Sequence, residues 1–169
     1  MTNLDLLLES FVRNARVNEF LLGHLTEADL PLSDGHGGMT VGQHLSHIAS
    51  FRGGWLAAIS PEHAAATGAL AGEKPIWEWQ TDDLKALREM FTVGDRSALE
   101  AVMAHLQSGE PFADPWKEGA YGSNPAHFLQ HTIVHDSHHR GQIMSLLRIN
   151  GRSKEQMDEL DAHWAIWRE

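Results

Sequence analysis

Five of the twelve histidines fall in one short run, HFLQHTIVHDSHHRGQI, at His127, His131, His135, His138 and His139. On a helix, residues four apart lie one above the other, so His135 and His139 present two imidazoles to the same point. Such a pair can reach a single ion, with nitrogens about 2.0–2.1 Å from a zinc. At about 100° per residue, with His127 at zero, Phe128, Leu129, Ile143, Leu146 and Leu147 form an apolar stripe centred near 150°. On that wheel His139 falls at about 120° and His135 at about 80°, on the stripe or its margin, while His131 and His138 sit further out. Two half-buried imidazoles without an ion would need other partners or carry a desolvation cost. Asp136, His138 and Gln142 are close enough in sequence to hold ring N–H groups in the required tautomer.

A third ligand has to come from another helix, and the segment after Thr40 carries His44 and His47. With Val41 at zero, its apolar centre falls near 340°, His44 at about 300° and His47 at about 240°. Burial therefore favours His44, whereas a site at the mouth of a groove favours His47. Periodicity leaves both open.

The elements that must position these residues are helices. Leu4, Leu7, Leu8, Phe11, Val12, Ala15, Phe20 and Leu22 recur at helical spacing over about residues 3–25. A loop with Pro31, Gly35, Gly37 and Gly38 follows. Thr40 caps a second helix over about 40–59, ended by Pro61. Residues 61–80 are rich in alanine, glycine and proline and read as a long connection holding at most a turn of helix. Thr81-Asp82-Asp83 opens a third helix over about 81–107. Ser123-Asn124-Pro125 opens the fourth, over about 124–150, and Gly151 stops it. The expected fold is all-α: one four-helix-bundle domain with long connections and a short tail, whose Trp164 and Trp167 pack back onto the body.

Composition narrows the classes. Of 169 residues, 42% are apolar and 21% charged, which suits one folded domain. No cysteine is present, so disulfides and thiolate ligands are excluded. A formal charge of −10 argues against a nucleic-acid partner, which needs a basic stripe. No apolar run approaches the roughly 20 residues of a membrane span. The opening MTNLDLLLES has acids where a signal peptide carries lysine or arginine, so a cytoplasmic protein is expected. Only His36 and His63 fall in loop-like segments, so the histidine excess belongs to the fold.

The run HTIVHDSHHRGQI resembles the signature of the DinB-like superfamily of metal-binding four-helix bundles. TVGQHLSHIAS is similar to that superfamily's earlier segment, a Thr-Val helix start followed by a ligand histidine. The resemblance extends over about residues 5–150 in helix order and length, and leaves 61–80 and the tail unassigned. It implies His47, His135 and His139 as ligands of a divalent metal, with His44, His131 and His138 as neighbours. Three nitrogens leave an open coordination position, the pattern of catalytic rather than closed sites, and zinc or nickel suits imidazole. Such an ion supports hydrolysis or the presentation of a thiol to an electrophile. The resemblance to thiol-dependent S-transferases favours the second, with a low-molecular-weight thiol as partner. The alternative is a non-catalytic metal-binding or stress-response interaction module. Arg140 could contact a substrate anion, and bundles of this size often form homodimers. Glu73, Glu78, Asp114 and Glu118 read as solvated surface.

Overall fold

The computed structural model describes residues 2–169. Four long helices form the bundle: α1 (Asn3–Gly23), α2 (Val41–Ile59), α4 (Leu84–Ser108) and α5 (His127–Ile149). Two shorter ones, α3 (Pro61–Ala71) and α6 (Lys154–Asp161), pack on its outside, and no strand occurs among the described residues.

The helix starts follow from local chemistry. Thr2 and Thr40 each close a capping box, with Asp5 and Gln43 returning the bond. Within the Thr81-Asp82-Asp83 run it is Asp83 that caps α4, its carboxylate accepting from the amides of Lys85 and Ala86. The fourth long helix begins at His127, not at 124, because Asn124 spends its side chain on the Ala126 amide in a preceding turn. Residues 61–71 are a full helix where a connection was expected. Pro61 at its first position and the run of alanines favour helix strongly enough to outweigh a weak amphipathic pattern. His63 accordingly lies in the first turn of α3 and not in a loop.

Two apolar clusters fill the bundle. One gathers Leu22, Leu45, Ile48, Leu87, Met90, Ile143 and Leu147; the other gathers Phe11, Leu56, Ala98, Val102, Phe128 and Leu129. A buried polar layer to which all four long helices contribute accompanies them. Arg52 of α2 and Asp136 of α5, both fully buried, form a two-bond pair at 2.8 and 2.6 Å. Asp95 of α4 accepts from Arg52 Nε at 2.7 Å, and Asn14 and Asn18 of α1 donate to Asp136 at 2.6 and 2.7 Å. A buried arginine is tolerated only when its N–H groups are matched in this way.

The tail packs back onto the body, with Trp167 half-buried, but α6 contributes the deepest contacts. Met157 and Leu160 of α6 are buried, whereas Trp164 is 57% exposed. Trp164 and Trp167 line a cavity of about 460 Å³ between the tail, α1 and α5.

Candidate metal centre

His47 projects from α2 toward α5, where His135 and His139 stand one turn apart. Their rings form a near-equilateral triangle: centroids lie 4.9 Å apart for His47 and His135, 4.7 Å for His47 and His139, and 4.6 Å for His135 and His139. One nitrogen from each lies within 4.8 Å of the other two, so the three could hold a metal ion. His47 Nε2 and His135 Nε2 are 3.0 Å apart, close to the spacing of two donors on one zinc.

Each α5 ring has its other nitrogen turned to a partner. His135 Nδ1 is buried without a hydrogen bond and faces Asp136 Oδ1 at 3.7 Å, longer than a hydrogen bond. A hydrogen on Nδ1, pointed at that buried carboxylate, leaves the Nε2 lone pair to the site; this is how metal-binding imidazoles are commonly oriented. His139 Nδ1 lies 3.0 Å from His44 Nδ1, which leaves its Nε2 for the centre. Phe51 stacks on the His135 ring at 3.8 Å between centroids and fixes its plane.

Electrostatics favour the neutral form of His44, His47 and His139. Burial and the neighbouring imidazoles push His139 down to about 4, and burial lowers His44 and His47 as well. A neutral imidazole is the ligand form. Asp136 is held far below the usual carboxylate range against its own burial, chiefly by Arg52, so an anion stands permanently behind His135.

The donors therefore fit a divalent metal: three nitrogens, no competing cysteine, and an orphaned buried Nδ1 explained by a ring oriented for ligation. His47 rather than His44 belongs to the triad, which the angular reading alone did not give. His44 is the more buried, as its angle suggested, and supports His139 instead.

The model of the DinB family matches residues 1–169. The chain belongs to the DinB family. The match includes the tail and residues 61–80, which the motif resemblance had left unassigned. No curated protein and no solved structure matches the chain.

Other expected members of this DinB site fall in different places. Gln142 bonds His138 at 3.1 Å on the surface, and neither supports a triad ring by hydrogen bond. His131 Nδ1 shares a hydrogen bond with the Tyr121 hydroxyl at 2.7 Å, and its ring meets His135 edge-on. Arg140 is occupied by Asn14 and Asn18 at 2.8 and 2.6 Å. It lines the tail cavity, which includes none of the three histidines. Asp114 orders its own loop by accepting from the amides of Glu118 and Gly119. An open cleft of about 660 Å³ runs beside the triad, lined by His44, His138, Gln142, Met39 and Asp34. Sequence reading missed the supporting layer of Arg52, Asp95, Asn14 and Asn18. Its one visible signal was Arg52, the lone Asp, Glu, Lys or Arg in α2.

Proposed function

We propose that His47, His135 and His139 hold one divalent transition metal ion, zinc or nickel, at the centre of an enzyme acting on a small molecule. The observation that carries this reading is the triangle of three imidazole rings, backed by the buried His135 Nδ1 that faces Asp136. When bound, such an ion is a Lewis acid that lowers the pKa of a water or thiol. Transfer of a low-molecular-weight thiol to an electrophile is the favoured chemistry, with hydrolysis as its rival, because thiol transfer is what the resemblance implies.

The chain's own residues set the conditions for either. Asp136 and His44 orient the two α5 rings, and Phe51 shields His135 from water on one face. The buried Arg52–Asp136 pair is a fixed internal dipole that does not reorganise as the reaction proceeds. The cleft beside His44 and His138 gives a small substrate access, with Met39 as apolar floor and Gln142 as a hydrogen-bonding group. It lies open to solvent rather than enclosed, which does not favour burial of a large apolar ligand.

The test is a screen of metal-loaded protein against low-molecular-weight thiols paired with electrophiles, repeated with His135→Ala. Turnover that disappears with His135 and with chelation supports the reading. Turnover that survives loss of the ion removes the metal mechanism, and metal binding without any turnover leaves a binding module in its place.

A further inference from the structure

A second cluster of donors lies at the other end of α2. Ser60 ends α2 and precedes Pro61, the first residue of α3, so Glu62 and His63 fall in the first turn of the new helix. They meet His105 from the last turn of α4. The Ser60 hydroxyl, on a residue 1% exposed, lies 2.8 Å from Glu62 Oε1, 2.8 Å from His63 Nδ1 and 3.0 Å from His105 Nε2. It has one proton to offer to three neighbours. Glu62 Oε1 is itself 3.3 Å from His63 Nδ1 and 3.9 Å from His105 Nε2.

The tautomer of His105 follows from its other nitrogen. Nδ1 lies 2.9 Å from the carbonyl oxygen of Glu110, which can only accept, so Nδ1 carries the hydrogen and Nε2 turns a lone pair toward the cluster. Gly109, at φ +74°, is what lets the chain turn back far enough to bring that carbonyl to the ring. Phe112 then packs on the ring at 4.4 Å, and the Ala113 amide bonds the Ile59 carbonyl at 2.9 Å, closing the loop over the end of α2.

We propose that Glu62, His63 and His105 form a second divalent-metal site, of the two-histidine, one-carboxylate kind that zinc takes. One donor atom from each lies within 4.8 Å of the others. Tetrahedral bonds of about 2.0–2.1 Å place donors about 3.3–3.4 Å apart; Glu62 Oε1 meets that spacing to His63 Nδ1 at 3.3 Å, and the 3.9 Å to His105 Nε2 closes by a small rotation of the exposed Glu62 side chain. The backbone carbonyl on His105 Nδ1 is the outer contact that usually orients a ligating ring. Glu62 is 63% exposed, so an ion enters from solvent, while His63 and His105 at 21% and 13% hold it against the body. Ser60 follows His47 by thirteen positions along α2, about 20 Å at 1.5 Å per residue, so the two sites share no ligand. An ion here clamps the α2–α3 junction to the end of α4.

The test titrates metal-free full-length protein with Zn²⁺ alone, following stoichiometry, with far-ultraviolet circular dichroism to confirm folding. Two equivalents are expected for the wild type. One is expected for His47→Ala with His135→Ala, which keeps the second site, and one for His63→Ala with His105→Ala, which keeps the first. Glu62→Gln preserves shape at an exposed position and so decides the matter if the double variant does not fold. It is expected to weaken the second equivalent by more than the roughly 10–100-fold that an outer partner contributes. A single wild-type equivalent that vanishes with His47 and His135 overturns the proposal. So does a second equivalent that Glu62→Gln and His63→Ala with His105→Ala leave unchanged. Failure of the first site alone would appear as uptake that depends only on Glu62, His63 and His105.

Discussion

At the scale of single residues, the triad depends on what stands behind each ring. Besides accepting from Asn14 and Asn18, Asp136 faces His135 Nδ1 at 3.7 Å and carries the ion pair with the fully buried Arg52. Asp136→Asn is expected to lower Zn²⁺ affinity about 10–100-fold, as loss of an outer partner does. It also leaves Arg52 as an incompletely matched buried charge, a change that costs about 3–5 kcal/mol in comparable pairs. Titration calorimetry and urea unfolding measure the two effects separately; unchanged affinity in the folded variant would detach Asp136 from the site. His44→Ala is expected to weaken binding less than His47→Ala in the same titration, because His44 supports His139 from outside the triangle. The reverse order would return His44 to the role its helical angle suggested. His135 and His139 were legible as a pair because four-residue spacing dictates a shared face. His47 was legible only through the family motif, because angle measures burial, and the more deeply buried histidine proved to be the support.

Elements explain why the rest was harder to read. The four long helices announce themselves through apolar periodicity and capping residues. Helix α3 does not, because its small alanines leave little contrast between faces. Its importance lies in close packing on α2, where a Cβ built on Gly53 would stand 2.5 Å from Thr67 Oγ1 of α3, and 2.3 Å from Ile76 Cδ1 in the turn that follows α3. Gly53→Ala is therefore expected to destabilise the fold by about 1–3 kcal/mol, seen as a lower denaturant midpoint. Gly68→Ala, on the open side of α3 where a Cβ meets nothing within 4 Å, is expected to be neutral or stabilising. If both behave alike, the α2–α3 contact is not what holds α3 in place. The polar layer was illegible for a related reason. Arg52, Asp95, Asn14 and Asn18 come from three helices, and no local pattern states that they meet around an α5 aspartate.

For the whole molecule, the metal is expected to couple to stability, since the triad joins α2 to α5 across the bundle. A ligand at about 100 times its dissociation constant adds about 2.7 kcal/mol to a fold that binds it only when native. For a chain of this size that corresponds to a rise in Tm of roughly 5–10 °C, measured by thermal unfolding with and without chelator. Among the described residues no helix is long and apolar enough to cross a membrane. The acidic balance, −10 in formal charge, favours attraction of cations over anions and is consistent with metal uptake. The central claim is the ion at His47, His135 and His139. A crystal structure of the zinc-loaded protein, with anomalous differences recorded at the zinc edge, tests it most directly. The account predicts a peak about 2.0–2.1 Å from one nitrogen of each of the three rings. Zinc-saturated crystals with no peak between those rings would contradict it.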